Sequence, residues 1–569
     1  MNSTMQWPKH LYLIASHHHL FNDQPTRESM GSKAFNLMRM ALRDLNVPPA
    51  LVIGTHYTGK SDACMAAVMT VGLPALQDIT GQVFGSSRVP LIVSVRSGAA
   101  VSMPGMMETL LNVGLCDQTV SGLLRQTGNP RMVWDAYRRL VSSYGEVVAG
   151  LPKALFEDEI TRVARGRDER QLDFSEMRDL TRTFLTIYQT HARQPFPQNV
   201  NEQLVGAIRA VFASWDAEKA RTYRTLNHID ASLGTAVTIQ VMVFGNAGSR
   251  SGAGVGFTRN PSTGEKRLWV DFLANAQGED VVSGRRNAHG HEALESIAPD
   301  AWKNLERSAE ALEREFADMQ DFEFTVQDGV LHMLQARSGK RTPLATARIA
   351  LDLLEEGLID KETALARTAA LVESDLGTLR LSPVDDGNQE VILLGHAMSA
   401  CSGVILGEIA LDAERAAARV AKGIPVILVR QDAETDDIAA FEAACGLLTQ
   451  RGARTSHAAV VARQLGKVCL VGCTAMRIDA TQRTVRFGNT LLKEGDIITL
   501  DGNEGDIYKG PMAAVLVEDV PLQTRLRTLR GVPKTKSKAK KKPDTTVAAK
   551  TLPKSKAQAK VQKHGKHGS

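Results

Sequence analysis

The sequence predicts a multidomain protein of mixed α/β and α+β class, on three observations. A chain of 569 residues with 43% hydrophobic and 23% charged residues has globular composition and is too long for one hydrophobic core. Apolar residues recur with a helical period over 116–230, between two strand-like regions. From 390 to 515, strand and helix patterns alternate, as is typical of a compact α/β domain.

The chain divides into four predicted segments that differ in pattern and composition. They are a first domain at 1–342 with a helical insertion at about 116–230, a helical connector at 343–389, an α/β domain at 390–515 and a tail at 516–569. The connector ends in a loop rich in Pro, Asp, Gly and Asn at 383–388, which is typical of a linker. No repeat has a period of 20–50 residues, which argues against a solenoid.

The first domain contains cations beside glycine turns. The strand PLIVSVRSGAA (90–100) carries Arg96 just before a glycine, and GSKAFNL (31–37) carries Lys33. Either cation can contact phosphate oxygens, although each taken alone is typical of a surface residue. The glycine-dense SGAGVG (251–256) indicates either a backbone cradle for phosphates or flexible turns.

The tail carries most of the positive charge. Residues 531–569 contain 12 lysines against one acid, Asp544, so a formal net charge of +5 for the whole chain leaves −6 for the remainder. Its Lys, Ala, Pro, Ser and Thr content predicts disorder, because there is almost no apolar surface to bury. Such a tail either binds nucleic acid or another polyanion in a salt-dependent manner or serves as a solubilising extension.

Membrane and disulfide-rich classes are not indicated. No apolar run approaches the roughly 18 residues of a membrane-spanning helix, and the N terminus lacks the order of a secretory signal. We therefore expect a cytoplasmic protein without membrane contact. The cysteines show no C-x-x-C spacing and predict buried free thiols; they are Cys64, Cys116, Cys401, Cys445, Cys469 and Cys473.

Residues 321–337 predict a β-hairpin whose register the sequence leaves open. A two-residue loop, Asp328 and Gly329, places Glu323 opposite Leu334. A three-residue loop shifts the pairing by one residue. Because side chains alternate between the two faces of a strand, the two registers put different residues beside Glu323.

The three-residue loop gives a face with the chemistry of a metal and phosphate site. In that register Glu323 faces Gln335, and Asp321 faces Arg337. Carboxylate and amide oxygens suit Mg²⁺, and a guanidinium binds phosphate oxygens as a fork. An amphipathic hairpin whose polar face meets only water explains the same alternation, so the pattern alone leaves both interpretations open.

The segment RGARTSHAAVVARQLGK (451–467) places His457 at the predicted start of a helix. Thr455 or Ser456 can cap this helix, and the run AAVVA gives it a buried face. At a helix N terminus, the backbone N–H groups and the helix dipole favour a phosphoryl group. A structural histidine is the other interpretation, whereas a metal site lacks further ligands nearby.

Six motifs occur in the order found in the pyruvate, phosphate dikinase family, which the sequence resembles over about residues 25–515. They are VSVRSGAAVSMPGMMETLLNVGL (93–115), GTAVTIQVMVFGN (234–246), GVGFTRNPSTGEK (254–266), NAQGEDVVSG (275–284), DFEFTVQDGVLHMLQARSGKRT (321–342) and RTSHAAVVARQLGK (454–467). The resemblance implies an ATP-grasp nucleotide-binding domain at 1–342 and a swivelling phosphohistidine domain at 390–515.

The resemblance also implies a reaction and a set of residue roles. In the family, orthophosphate takes the γ-phosphoryl group of ATP, the β-phosphoryl group stays on a histidine, and AMP and pyrophosphate leave. His457 would be the nucleophile and Arg337 would stabilise charge on the transferring group. Of the other site residues, Lys33 and Arg96 would hold phosphates, Glu323 and Gln335 would bind the cofactor Mg²⁺, and Asp321 would support them. Phosphorylation of a threonine at the place of Thr455 inactivates such enzymes.

Departures from the family pattern shape the expected function. The family's barrel, which binds pyruvate and phosphoenolpyruvate, would begin near residue 515, where this sequence turns into the basic tail. We therefore expect the phosphoryl group to pass to an acceptor on another chain, such as a separate phosphoenolpyruvate/pyruvate-domain protein. Ala453 and Arg454 replace a glycine and a methionine usual in the histidine loop. The alternative function is a non-catalytic nucleotide-binding regulatory protein whose tail binds nucleic acid or another polyanion.

Overall fold

The computed structural model describes residues 7–16, 18–101, 103, 105–282, 290–382, 391–432, 441, 443–454 and 457–531. These residues form helices and several separate sheets, so the predicted mixed α/β multidomain class is confirmed. The predicted linker loop at 383–388 and the lysine-rich residues 532–569 lie outside the described residues.

The described residues up to Val241 form a six-stranded sheet, a short parallel pair of strands (Val83–Phe84 and Pro90–Leu91) and a helical subdomain. Its elements are β1 (Leu11–Ala15), β2 (His18–Leu20), α1 (Arg27–Ala41), β3 (Ala50–Ile53), α2 (Asp62–Ala67), α3 (Leu73–Thr80), β4 (Val83–Phe84), β5 (Pro90–Leu91), β6 (Val93–Gly98), β7 (Thr109–Val113), α4 (Asp117–Thr127), α5 (Pro130–Val147), α6 (Ala154–Ala164), α7 (Phe174–Ala192), α8 (Val200–Ala213), α9 (Glu218–Leu226) and β8 (Ala236–Val241). The first sheet has the antiparallel order β2-β1-β3-β8-β6-β7. Helices α4 to α9 occupy the predicted insertion.

One helical run in the described part of the chain, Asp62–Thr80, is long and apolar enough by length and composition to cross a membrane. The prediction that no stretch is long and apolar enough for a membrane-spanning helix was therefore wrong. In the fold, Cys64, Val68, Leu73 and Leu76 of this run are buried in the core of the first sheet. The burial is confined to one face, since 28% of the most apolar 18-residue window is buried, and a single run of this kind is weak evidence of a membrane span.

The next segment forms a second sheet. Its elements are β9 (Gly252–Phe257), β10 (Trp269–Ala274), α10 (Gly278–Val282), α11 (His291–Ile297), α12 (Pro299–Phe316), β11 (Gln320–Gln327) and β12 (Val330–Ser338), with the antiparallel order β10-β9-β11-β12. Helix α1 shares one buried core with both sheets, which includes Leu37 of the helix, Tyr12 of the first sheet and Phe322 of the second. This packing fixes the two sheets relative to each other.

The glycine-dense segment lies in strand β9 and is fully buried. A Cβ atom on Gly252 would come within 2.1 Å of the ring of Phe272, and one on Gly254 within 2.4 Å of Phe324. The glycines therefore make room for aromatic rings that lie close to the strand backbone. Neither of the two expectations for this segment, a phosphate cradle or a flexible turn, was correct.

The remaining elements form the connector and a C-terminal α/β domain. They are α13 (Pro343–Glu355), α14 (Lys361–Thr368), β13 (Gly377–Leu381), β14 (Leu393–His396), β15 (Met398–Cys401), β16 (Val404–Ala410), α15 (Ala413–Val420), β17 (Val426–Arg430), β18 (Gly446–Thr449), α16 (His457–Gln464), β19 (Val468–Val471), β20 (Met476–Asp479), β21 (Thr484–Phe487), β22 (Thr490–Lys493), β23 (Ile497–Asp501), β24 (Asp506–Lys509), β25 (Ala514–Glu518) and α17 (Val520–Arg530). The main sheet has the order β14-β24-β23-β16-β17-β18-β19-β15, with β16 to β19 parallel.

The chain enters and leaves this domain through one two-stranded ribbon. Strand β13 pairs antiparallel with β25, and Leu381 lies opposite Ala514. Just after the ribbon, Asp519 accepts a hydrogen bond of 2.6 Å from Arg348 of α13. Both ends of the domain are therefore attached to the connector.

Residues 516–530, predicted as the beginning of a disordered tail, are folded. They complete β25 and form α17, in which Leu522, Leu526 and Leu529 are buried against the connector helices. This spacing of i, i+4 and i+7 is that of a helix with one apolar face. The predicted start of the tail at 516 is therefore wrong, since the lysine-rich composition begins only near 531, after this helix.

The prediction of buried cysteines is confirmed for five of the six thiols. All six are free; Cys445 is half-buried. Burial raises the pKa of Cys401 to about 11, so this thiol stays protonated at neutral pH.

Candidate active site

A close approach of two glycines places Lys33 beside the end of strand β6. Gly31 has φ 75° and ψ 154°, a conformation that is essentially restricted to glycine, and a Cβ atom there would lie 2.1 Å from the carbonyl oxygen of Gly98. The backbone N–H and Oγ of Ser32 both donate to the carbonyl of Ala99, at 2.9 and 3.0 Å. Helix α1 is thereby clamped to the strand that carries Arg96.

The loop of the hairpin β11–β12 has two residues. Gln327 pairs with Val330, and Asp328 and Gly329 have φ values of 51° and 84°. Two positive φ values in succession are typical of the tight turn that matches the twist of an antiparallel pair. The two-residue loop, one of the two predicted possibilities, is therefore the one that forms.

The strand pairing nevertheless follows the other predicted register. The pairing shifts between Glu323 and Phe324, so that Leu334 is an extra residue in β12. Beyond this bulge Glu323 lies opposite Gln335, and the next same-face pair aligns Asp321 with Arg337. The bulge restores the arrangement expected of a metal and phosphate site.

Glu323 lies among cations. Its Oε2 atom is 3.5 Å from Nη2 of Arg96, and its Oε1 atom accepts a hydrogen bond of 3.3 Å from Nε2 of Gln335. Burial acts to raise the pKa of Glu323, but the positive charges of Arg96, Arg337 and Lys33 outweigh it and lower the pKa. The carboxylate is therefore ionised at neutral pH and available to a cation.

Asp321 and Arg337 form an ion pair next to this cluster. Nε of Arg337 donates to Oδ2 of Asp321 at 2.8 Å, and Asp321 is almost fully buried. Burial raises the pKa of Asp321, against the opposing charge of Arg337. Within the described residues the terminal nitrogens of Arg337 have no hydrogen-bond partner, so they remain available to an anion.

Lys33 completes the cluster of positive charge. Burial and the neighbouring charges of Arg96 and Arg337 together lower its pKa to about 8, although the charge of Glu323 acts in the opposite direction. The ammonium group is thus enclosed near three other charged groups of the site. A phosphate chain bound here would meet Lys33, Arg96 and Arg337 together.

We expect the affinity for ATP, measured without divalent metal, to fall as the pH rises from about 7.5 to about 9. The pKa of Lys33 is about 8, so the ammonium loses its charge over this range and ATP loses one cationic contact, up to about tenfold in affinity per pH unit. The Lys33→Arg variant keeps its charge and is expected to show no such fall. Calorimetric titration of both proteins at constant ionic strength is the measurement. An equal fall in both would contradict the role of Lys33.

Helix α16 begins at His457, as the sequence predicted. The structure does not describe the side chain of His457 or the predicted cap residues Thr455 and Ser456. The regulatory role expected for Thr455 therefore also lies outside the described residues. The position of the helix is set by Arg463, which is fully buried with its guanidinium 4.8 Å from the ring centre of Phe257. Its charge also acts on Asp321. The helix therefore lies against the second sheet, near the hairpin.

Two polar residues of this region were missed by the sequence reasoning. Gln240 on β8 is buried and its Oε1 atom is 3.5 Å from Nη1 of Arg96, and Asp271 on β10 is buried opposite Val255. Both stand in buried strands that are mostly apolar, TAVTIQV and WVDFLA. A polar residue in a buried strand is the signal that could have found them.

Comparison with known proteins agrees with this geometry. The family model described as "Pyruvate phosphate dikinase, AMP/ATP-binding domain" matches residues 75–292, and the model described as "PEP-utilising enzyme, mobile domain" matches residues 423–505. The pyruvate, phosphate dikinase of Rhizobium meliloti (strain 1021) is 43% identical over 507 residues, which is 85% of this chain and 56% of that protein. This chain is related to the pyruvate, phosphate dikinases.

Other dikinases match to the same extent. Those of Clostridium symbiosum and Zea mays (dikinase 2) are 42% and 40% identical over 500 and 498 residues. In each case the match covers 85% of this chain, which spans about 56% of the length of these dikinases. The two family models include Arg96 and His457, respectively.

Proposed function

We propose that this chain is an ATP- and Mg²⁺-dependent phosphotransferase of the pyruvate, phosphate dikinase type, which phosphorylates His457. ATP and orthophosphate are consumed, AMP and pyrophosphate are released, and one phosphoryl group stays on the imidazole. One observation carries this proposal: three cations, Lys33, Arg96 and Arg337, surround the carboxylate of Glu323. Glu323 stands on the hairpin near which helix α16 lies.

The cations hold the phosphate chain of ATP between the two sheets, in an ATP-grasp arrangement. Lys33 and Arg96 come from the first sheet and its helix, whereas Arg337 comes from the second. Positioning and charge neutralisation supply most of the catalysis in phosphoryl transfer, because the charge is spread over the phosphoryl oxygens. Groups fixed on two packed sheets serve this purpose, since their positions are set by the core.

The donor set fits Mg²⁺. Mg²⁺ usually takes one or two protein oxygens, and substrate phosphates and water supply the rest. The ionised carboxylate of Glu323 and the side-chain amide of Gln335 are neighbours, and rotation of that amide presents its oxygen instead of its nitrogen. When bound, Mg²⁺ would neutralise charge on the β- and γ-phosphoryl oxygens.

His457 acts as the nucleophile with an unprotonated ring nitrogen. This nitrogen bonds to the β-phosphorus of ATP as the bond from that phosphorus to the bridging oxygen of AMP breaks, and AMP leaves. An oxygen of orthophosphate then bonds to the γ-phosphorus, the β–γ bridge breaks, and pyrophosphate leaves. The β-phosphoryl group remains on His457.

The fate of the phosphoryl group completes the proposal. The C-terminal α/β domain carries the phosphoryl group, as a swivelling unit, to an acceptor on a separate chain. This acceptor is either a site that binds pyruvate and phosphoenolpyruvate or a different one. The names of the related proteins support this choice of acceptor.

The decisive experiment incubates the full chain with Mg²⁺·ATP and [³²P]orthophosphate. We expect label in pyrophosphate, AMP in equal amount, and no label on the protein, because orthophosphate receives the γ-phosphoryl group and never reaches the histidine. With [β-³²P]ATP the label is expected on the protein. ATP that binds without forming AMP would contradict the proposed reaction and favour a nucleotide-binding regulatory protein.

A further inference from the structure

The C-terminal α/β domain is seated on the second sheet through the loop that precedes helix α16. Ala453 of this loop is fully buried in a small apolar cluster whose other members all come from the nucleotide-binding part: Ala253, Val255, Leu273, Ala276 and Val281. Ala453 is therefore shielded from solvent by the neighbouring domain. Its exposure reports directly on whether the two domains are in contact.

The next residue, Arg454, makes polar and aromatic contacts across the same boundary. Its Nε atom donates to Oδ1 of Asp271 at 2.8 Å, and its Nη2 atom donates to the carbonyl of Val270 at 3.0 Å. The guanidinium also lies 4.3 Å from the ring centre of Trp269. Three successive residues of strand β10 thus bind one side chain of the other domain.

The burial of Asp271 makes this contact energetically important. Asp271 is 1% exposed, and its Oδ2 atom has no hydrogen-bond partner within the described residues. An ionised carboxylate in such a position needs an opposite charge, and removing one member of a buried pair is strongly destabilising. Separation of the domains would instead hydrate both groups. Loss of Arg454 alone therefore disfavours the docked arrangement much more than the separated one.

We propose that Arg454, through Asp271 and Trp269, is an interdomain latch that holds the histidine-bearing domain on the nucleotide-binding part. Arg454 is three residues from His457, so it acts on the reaction as a positioning residue by setting the fraction of molecules in which the histidine helix is docked. The consequence for catalysis rests on the proposed function, whereas the latch itself does not.

The latch is tested without nucleotide by thiol accessibility. Ala453→Cys places a thiol in the interface, and its rate of modification by a maleimide, located by peptide mass spectrometry, measures separation of the domains. In this background we expect Arg454→Met, and also Asp271→Asn, to raise the rate by at least about tenfold. The double variant is expected to label more slowly than Arg454→Met alone, because no unpaired carboxylate is then buried.

A matched control comes from the same loop. Arg451 is exposed and lies 3.7 Å from Asp432 of its own domain, so Arg451→Met is expected to leave the rate unchanged. Unfolding would instead expose the buried native thiols, such as Cys469, which the same peptide map detects. Equal labelling of Arg454→Met and the parent protein would overturn the latch, as would a double variant that labels faster than both single variants.

A second measurement links the latch to catalysis. In a single turnover with Mg²⁺·ATP and orthophosphate, Arg454→Met is expected to phosphorylate His457 several-fold more slowly while binding ATP as the parent does. If the proposed function fails, no variant forms phosphohistidine, yet the labelling rates still decide the latch. Faster labelling with an unchanged phosphorylation rate would overturn its role as a positioning residue.

Discussion

The His457→Ala variant is expected to form no acid-labile phosphoprotein and to release no AMP or pyrophosphate from Mg²⁺·ATP and orthophosphate. The imidazole nitrogen is the proposed nucleophile, and alanine offers no group that can take its place. Binding of ATP should persist, because the cations of the site stand on other elements. Intact-protein mass before and after brief acid treatment is the measurement, and the parent protein should gain one phosphoryl group.

A histidine elsewhere in the same domain serves as the control. His396 is exposed and lies 3.1 Å from Asp506, on the β14–β24 pair of the main sheet. We expect His396→Ala to be phosphorylated as fully as the parent protein. An acid-labile phosphoryl group that survives in His457→Ala would place the carrier on another residue.

Replacing Arg337 with methionine should lower the rate of His457 phosphorylation by about 10³-fold or more, which is the usual effect of losing a guanidinium that stabilises the transferring phosphoryl group. Methionine keeps most of the apolar length of the side chain but removes the charge. The affinity for ATP is expected to change much less, since Lys33 and Arg96 remain. Rapid-quench single turnovers give the rate, and equilibrium titration gives the affinity.

The neighbouring Arg341→Met variant is the control that distinguishes an effect of Arg337→Met on catalysis from an effect on stability. Arg341 is also paired with a partly buried carboxylate, Asp318, at 2.6 Å, but it lies beyond the end of β12. Each variant removes the shortest ion pair of a carboxylate, although Asp318 keeps Arg367 at 3.4 Å, and each should lower the free energy of unfolding by about 1–3 kcal/mol. Similar losses of rate in both variants would mean that Arg337 acts through the fold.

The family resemblance and the mixed α/β class were predictable from the sequence, and both are confirmed. Local chemistry also predicted that helix α16 begins at His457. The hairpin shows where local reasoning ends: the Asp328–Gly329 turn followed from residue types, whereas no feature of the sequence pattern marked the bulge at Leu334. One extra residue in a strand changes which residues lie opposite each other, so the alternation of polar and apolar residues alone does not determine the register.

Contacts between distant segments were beyond the sequence reasoning. Arg454 and Asp271 are 183 residues apart, so no periodicity could pair them. The sequence did show Arg454 as a departure from the family pattern, but its partner becomes visible only when the domains are seen in contact. Similarly, the apolar face of α17 has meaning only once the connector helices that bury it are in place.

The ribbon of β13 and β25 makes the histidine-bearing domain a self-contained insertion. Leu381 and Ala514 are cross-strand neighbours, and the Cα atoms of such pairs are about 5 Å apart. A tight turn can bridge this gap, so residues 382–513 can be excised and the ribbon closed as a hairpin, with α17 still packed on the connector. The same geometry allows the excised unit to be produced alone or replaced by a homologous one. The chain is thus modular at the ribbon through which it enters and leaves the C-terminal α/β domain.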